Sequence, residues 1–260
     1  MTSEGGVALD HRIRRRAPGL AAAVLLLGCT TRPAGVGGTL GPGEIVARAG
    51  RAGAVVAAPH GTSDQGTAEI AAELARLTGF GLVVATAFNV GGRPGWRYQV
   101  NRPLEGAPGR PSSEDVESEG ARTVYAAYER RVREAAQGVL AFYVEIHGNS
   151  RPDSADRIEI ATVGVDAEEA LKLRTLFELV RDAHLRAGPR GARLQVRVEP
   201  VDPVFHTASG AKRAGILRLP PQALHIELPR VARHEGRAVY TLILADFLRE
   251  AIARPRPARR

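Results

Sequence analysis

Cysteine is almost absent from this sequence, since Cys29 is the only one among 260 residues. A single cysteine excludes an internal disulfide framework. Lysine is nearly as rare, with Lys172 and Lys212 alone, so arginine carries nearly all of the positive charge. Aromatic residues make up only 5% of the chain, and the apolar run at residues 20–27 is too short to span a bilayer as a stable anchor.

The formal net charge of +8 is concentrated at the two ends of the chain. Residues 1–28 carry a net charge of +2 and residues 254–260 a net charge of +4, which leaves +2 for everything between them. A nearly balanced domain without aromatic residues among its basic ones lacks the kind of surface that follows a phosphate backbone. Nucleic acid is therefore not an expected partner, and residues 253–260 are expected to be a solvated basic tail.

The N-terminal segment has the pattern of an export signal. A basic region at residues 11–16 precedes the short apolar run, which ends in Leu-Leu-Gly before Cys29. This ending resembles the lipobox of bacterial lipoproteins. The resemblance implies removal of residues 1–28 as a signal peptide and acylation of Cys29, with the membrane reached through this N-terminal lipid. Thr30 in the next position implies delivery to the outer membrane of the cell envelope, on the periplasmic side.

The remaining chain is long enough for one large domain and too short for two. Residues 29–43 are rich in Gly, Pro and Thr and are expected to form a flexible tether, so the domain is predicted to span residues 44–252. Apolar runs at 54–58 and 80–86 flank a helical pattern at 67–78, which is the strand, helix, strand order of a parallel sheet. Further strands are predicted at 139–146, 158–163, 194–198 and 223–228, and further helices at 113–136, 167–187 and 239–252. We predict a single-domain α/β fold with a mixed, mostly parallel sheet flanked by helices.

Polar residues follow two of the predicted strands. His60 and Asp64 come after the strand at 54–58, and His147 follows the strand at 139–146. Open α/β sheets bind ligands at the carboxyl ends of their strands. Hydrolytic zinc sites commonly use three ligands drawn from His and carboxylate, with a fourth position for water. His60, Asp64 and His147 are therefore predicted metal ligands, with a structural hydrogen-bonding role as the alternative for each His.

Glu227 lies inside the apolar strand pattern at 223–228, where an unpaired carboxylate would be costly. It is the candidate general base, and the alternative is a solvent-facing strand residue paired with Arg230. His225 lies two residues earlier on the same strand face and could be a metal ligand, a residue that supports one, or a simple filler.

A stretch dense in Gly and Pro at residues 87–110 is too long to be a simple connector and is a candidate for substrate contact. It contains Asn101 and Arg102. The planar guanidinium of arginine suits bidentate binding of a carboxylate, and a neighbouring Asn can add a donor. The alternative is that Arg102 is a solvent-facing loop residue. A second long loop is predicted at residues 200–219.

Taken in order, these motifs resemble the zinc carboxypeptidase and N-formylglutamate amidohydrolase group of α/β metallohydrolases, over roughly residues 50–250. The resemblance implies a zinc-exopeptidase or phosphorylase/hydrolase-like fold and one Zn²⁺ on the three ligands named above. It also implies that Glu227 is the general base and that Asn101 and Arg102 hold a free carboxylate of the substrate.

The sequence departs from that group at the second ligand. Carboxypeptidases usually have a Glu three residues after the first His, where this chain has Ser63. The carboxylate comes one residue later at Asp64, and Glu69 is a more distant substitute. The His/His/Asp set also does not distinguish zinc from other divalent metals.

The expected function is therefore a zinc-dependent amidohydrolase or carboxypeptidase that cleaves an amide bond next to a free carboxylate, on an N-acyl amino acid or a short peptide. The alternative is a noncatalytic envelope lipoprotein that binds carboxylated peptides or metal. A serine hydrolase is disfavoured, because neither Ser150 nor Ser209 lies in a Gly-x-Ser-x-Gly elbow.

Overall fold

A computed structural model describes residues 43–88, 97–107, 110–187 and 191–253. The predicted signal peptide, Cys29, all of the tether but its last residue, and all of the basic tail but its first residue lie outside these ranges. No helix within the described ranges is long and apolar enough to cross a membrane.

The strands are β1 (Glu44–Arg48), β2 (Arg51–Ala58), β3 (Phe80–Thr86), β4 (Arg97–Gln99), β5 (Leu104–Gly106), β6 (Phe142–Asn149), β7 (Arg157–Val163), β8 (Gln195–Val198) and β9 (Gln222–Pro229). Seven of the described strands form a sheet in the order β1-β3-β2-β6-β9-β7-β8, and β4 and β5 form a small hairpin. Neighbouring strands of the seven-stranded sheet run parallel except in the β1-β3 and β7-β9 pairs. The helices are α1 (Thr67–Thr78), α2 (Glu119–Ala136), α3 (Ala167–Ala187), α4 (Ser209–Ala214), α5 (Arg230–Arg233) and α6 (Arg237–Ala253). The prediction of a mixed, mostly parallel sheet flanked by helices is confirmed.

The central strands β2, β6 and β9 are buried on both faces, which explains their long apolar runs. On one face, side chains such as Val56, Val144 and Ile226 pack in the same core cluster as α1, α3 and α6. On the other face, Val55 and Tyr143 pack with α2. Because side chains alternate between faces along a strand, every second residue belongs to each layer.

This alternation places the polar residues of the two central strands together. Glu145 and His147 on β6 share the face of Tyr143, and His225 and Glu227 on β9 share the face of Ala223, which is the side that α2 covers. The register pairs Glu145 with His225 and His147 with Glu227. Residues in directly paired positions have side chains in reach of each other, so this end of the sheet collects the candidate site.

Several predicted element bounds are corrected by the structure. Helix α2 begins at Glu119 and not at residue 113, and the Ser118 side chain caps it by accepting a hydrogen bond from the Ala121 amide. Val116 lies within the predicted helix, but it is 50% exposed and pairs with Glu105 in an isolated bridge.

Other corrections concern strands and loops. Strand β6 begins at Phe142 and continues to Asn149, so His147 lies within the strand and not after it. The predicted loop at 87–110 contains the β4-β5 hairpin, and the loop at 200–219 contains α4. The edge strand β1, antiparallel to β3, was not predicted.

Candidate metal centre and active site

Two neighbouring parallel strands deliver the three predicted metal ligands to one edge of the sheet. β2 ends at Ala58, and a turn closed by the Asp64 amide on the His60 carbonyl, at 2.8 Å, carries His60 and Asp64 over that edge. β6 lies beside β2 and brings His147 to the same place. The Gly148 amide donates to Asp64 Oδ2 at 3.1 Å and ties the turn to the strand.

The donor atoms of these residues are spaced as a small cation requires. Asp64 Oδ2 lies 3.7 Å from His60 Nδ1 and 3.4 Å from His147 Nδ1. A tetrahedral ion with bonds of about 2.0 to 2.1 Å places its ligands roughly 3.4 Å apart. His60, Asp64 and His147 therefore form a group that could hold a metal ion. Glu69, the alternative second ligand, is exposed on the first turn of α1 and is not part of this group.

Two buried imidazole nitrogens at this site have no hydrogen-bond partner: Nε2 of His60 and Nε2 of His147. The second lies 3.3 Å from Glu145 Oε1, but not in hydrogen-bonding geometry. An imidazole that binds a metal through one ring nitrogen donates from the other to an acceptor, and Glu145 is within reach of this second nitrogen of His147. The residues present therefore fit a divalent metal, and the donor set alone does not select zinc.

The charges of the three ligands differ. Burial lowers the pKa of His60, which keeps its imidazole neutral and able to bind a cation. Burial acts to raise the pKa of Asp64, but the contacts with the imidazoles of His147 and His60 outweigh it and hold this pKa well below its usual range. Burial likewise acts to lower the pKa of His147, yet the charge of Glu145 and the contact with Asp64 raise it to about 10. Without a metal, the site thus holds an imidazolium beside ionised carboxylates.

A second group that could hold a metal consists of Glu145, His147 and His225, and it shares His147 with the first. Glu145 is fully buried and already has donors on both oxygens. His225 Nδ1 lies 2.7 Å from its Oε1, and the Asn101 amide donates to both oxygens at 3.3 and 3.2 Å. A carboxylate occupied in this way supports a metal-ligating imidazole better than it binds a metal itself. We therefore assign Glu145 to the support of His147.

Sequence reasoning gave no role to Glu145, although a signal was present. It lies two residues before His147 in an apolar strand, and so on the same face of the sheet. Burial acts to raise its pKa, but the charge of His147, which lies 3.3 Å away, and the hydrogen bond from His225 lower it well below its ordinary value. Glu145 is therefore an ionised carboxylate at the base of the site.

Glu227 lies beside the metal-binding group with its carboxylate held by His225. The distance from His225 Nε2 to Glu227 Oε1 is 3.1 Å, and only 6% of Glu227 is exposed. Burial acts to raise the pKa of Glu227, but the hydrogen bond from His225 and the charge of His225 lower it. The charges of His147 and His206 lower this pKa further, by smaller amounts. The partner of Glu227 is thus His225, whereas Arg230 is exposed on α5. An ionised and oriented carboxylate next to a cation site can act as a base.

Arg102 and Asn101 have different surroundings. The Arg102 guanidinium lines the cavity in front of the metal-binding group, and Nη2 lies 3.5 Å from Asp115 Oδ2. Burial lowers its pKa. Asn101 is 1% exposed and donates its amide to Glu145, so it does not line this cavity and its observed contact is structural. Asp115, which sequence reasoning missed, also accepts from Arg97 and Gln99 and fixes the position of Arg102.

One cavity of about 740 Å³ joins these groups. His60, Asp64, His147, Glu227 and Arg102 all lie on its wall. Residues 205–210 and Arg213, from the segment between β8 and β9 that contains α4, also line it. The cavity therefore combines a cation-binding group, a base and a guanidinium, with space for a small substrate.

No family model matches the chain, and no curated protein matches its sequence. The chain is similar in structure to a bacteriophage poly-gamma-glutamate hydrolase, at 12% identity over 81% of this chain and 88% of that one, with a TM-score of 0.46. It is similar to a gene product from Agrobacterium tumefaciens at 17% identity over 81% and 94%, with a TM-score of 0.46. It is also similar to a metallo-carboxypeptidase from Burkholderia cenocepacia at 14% identity over 79% and 57%, with a TM-score of 0.37. With TM-scores below 0.5, these similarities are remote, and the chemistry of this chain follows from its own residues.

Proposed function

We propose that this chain is a metal-dependent hydrolase that cleaves an amide bond next to a free carboxylate, on an N-acyl amino acid or a short peptide. The observation that carries the proposal is the shared cavity of His60, Asp64, His147, Glu227 and Arg102. A cation site alone would suit a structural role. The ionised base beside it and the guanidinium in the same cavity supply the other two elements that amide hydrolysis needs.

The proposed ligands are His60, Asp64 and His147, and zinc is the proposed metal. When bound there, the metal would polarise the scissile carbonyl and acidify a water molecule. Glu227 removes a proton from the attacking water and passes it to the leaving amine, so that one carboxylate serves both halves of the reaction. His225 holds the Glu227 carboxylate with one ring nitrogen and contacts Glu145 with the other, so that Glu145 fixes the orientation of His225.

Arg102 is proposed to bind the free carboxylate of the substrate. Its guanidinium is held by Asp115, which leaves it oriented toward the cavity. When Arg102 binds the substrate carboxylate, the scissile amide is placed over the proposed metal ligands. This positioning lowers the activation barrier of hydrolysis, because the entropy cost of aligning the reacting groups is paid on binding. Asn101 acts indirectly, since its amide supports Glu145.

The proposed location is the bacterial cell envelope, with the chain anchored by a lipid on Cys29. The lipobox-like ending before Cys29 supports this proposal. A fragment of cell-wall peptide is then a reasonable class of substrate, because such fragments combine amide bonds with free carboxylates.

The test is elemental analysis of the purified chain, prepared without a His tag, beside the variants His60→Ala and His147→Ala. We expect about one zinc per chain, lost in both variants, and turnover of N-acyl amino acids or short peptides by the parent protein. Glu227→Gln is expected to keep the zinc and to lose about 10²- to 10⁴-fold in kcat. A folded protein that takes up no metal refutes the proposal. Unchanged kcat in Glu227→Gln removes this residue as the base, and metal uptake with no hydrolysis by the parent favours a noncatalytic binding protein.

A further inference from the structure

A second cavity of about 520 Å³ adjoins the first. Asp64, Gly148 and His206 line both cavities, whereas Arg102 lines only the first. Asp64 is part of the metal-binding group, so this group lies at the junction of the two spaces. A substrate that places a carboxylate on Arg102 and its amide at the junction therefore continues into the second cavity with its acyl part.

The wall of the second cavity has an excess of positive charge. Its lining includes Arg151, Arg230 and Arg233. Arg151 is neutralised by a bidentate pair with Asp153, at 3.1 and 2.9 Å. The other two arginines have no carboxylate within ion-pair distance among the described residues. Asp64 is the only carboxylate in this wall within the described ranges, and it faces the imidazoles of the metal-binding group.

The two unneutralised arginines differ in burial and in hydrogen bonding. The buried Arg233 guanidinium donates to the main-chain carbonyls of Leu228, Gln65 and Asn149, which fixes it beneath the cavity. Arg230 is exposed at the start of α5 and keeps its donors available at the rim of the cavity. A buried guanidinium held by carbonyls and an exposed guanidinium in the same cavity wall form a suitable environment for a small anion, and arginine binds carboxylates in bidentate geometry.

We propose that the second cavity is an acyl-side subsite for a carboxylate, bound by Arg230 over the fixed charge of Arg233. The inference rests on the proposed function, because it takes Arg102 as the site of the other carboxylate. The substrate class is then narrower: amides that carry an acidic group on each side of the scissile bond. An acyl part with an uncharged chain of equal size fits the cavity but leaves Arg230 without a partner.

The test compares two isosteric peptides, N-acetyl-Glu-Ala and N-acetyl-Gln-Ala, which differ only in the charge of the acyl-side residue. Binding to the full chain carrying Glu227→Gln and loaded with zinc is measured by titration calorimetry, so that the readout does not depend on turnover. We expect the Glu peptide to bind about tenfold more tightly, with a difference that shrinks as salt increases. Adding Arg230→Gln is expected to bring the two affinities within about twofold of each other.

Arg237→Gln is the matched control, since Arg237 is an exposed arginine at the start of α6 that lines neither cavity. Arg233 is not substituted, because its three carbonyl partners make loss of folding the expected result. Equal binding of the two peptides, no binding of either one, or an equal effect of Arg230→Gln and Arg237→Gln overturns the subsite. Selective binding of the Glu peptide, with no hydrolysis by the zinc-loaded parent, supports the subsite and refutes the proposed hydrolase.

Discussion

Metal binding at this site is expected to compete with a proton on His147. The imidazole must be neutral to bind a cation, but its pKa is raised to about 10 in the metal-free protein. At pH 7 the protonated form then exceeds the neutral form by about 10³, and removal of the proton costs roughly 4 kcal/mol of metal affinity. His60 and Asp64 do not add to this cost, because their lowered pKa values keep the imidazole neutral and the carboxylate ionised.

The expected result is release of close to one proton by His147 for each zinc bound, with apparent affinity rising about tenfold per pH unit between pH 6 and 8. Titration calorimetry in two buffers with different heats of ionisation counts the protons directly. Glu145→Gln is the matched variant, because it removes the charge that raises the pKa of His147 while keeping the shape of the side chain. We expect fewer protons released and a flatter pH dependence in this variant, whereas protons released from metal-bound water would be unaffected.

Two results would refute this reasoning. A pH-independent zinc affinity with no proton release in the parent would mean that His147 is neutral in the metal-free protein. Identical proton release in the parent and in Glu145→Gln would mean that the protons come from another group.

Four further predictions follow from the same contacts. The metal-free protein should lose stability as pH rises from about 6.5 to about 10. Folding raises the pKa of His147, so its protonated imidazole stabilises the folded state fully below the unfolded pKa, and this contribution is lost as pH rises to the folded pKa. Thermal melts at several pH values test this. Asn101→Ala should lower the free energy of unfolding by about 1–3 kcal/mol in urea titrations, because it removes a donor from a buried carboxylate, and an unchanged midpoint would contradict the assignment. Gly148→Ala should destabilise by a similar 1–3 kcal/mol and weaken zinc binding, since its Cβ would lie 2.7 Å from the clamped Arg233 Cζ; a variant with normal stability and zinc affinity would show that the guanidinium can move aside. Cys29→Ser should release the protein from the membrane fraction without altering turnover of a soluble substrate, and unchanged fractionation would argue against a lipid anchor.

Local sequence patterns were sufficient to predict the elements whose ends are marked by residues such as glycine. The helices at 67–78 and 167–187 and the strand at 80–86 have the predicted bounds. In the first of these helices, glycines with positive φ stand directly before and after the helix, where a side chain would be strained. The beginning of α2 was not predictable in this way, because Val116 fits the helical period but pairs with Glu105 of the hairpin instead.

The sequence predicted those residues of the candidate site that lie on, or directly after, neighbouring strands. His60, Asp64, His147 and Glu227 meet because strands β2, β6 and β9 are neighbours and end at one edge. The role of Asn101 depends on a partner 44 residues away in the chain, which no local pattern encodes. The same holds for the second cavity, whose lining combines the turn after β2, the end of β6 and the segment around α5.

The composition of the candidate site depends on how strands β6 and β9 are aligned with each other. His147 stands opposite Glu227, and Glu145 opposite His225, because the strands are aligned in one particular register. An insertion of one residue early in β6 would turn both of its polar side chains into the apolar layer under α1 and α6. Lengthening the loop between β8 and β9 would leave that alignment intact. The part of the cavity wall that the loop forms can therefore change through loop length, whereas the polar residues of β6 and β9 can change only by substitution at fixed strand positions.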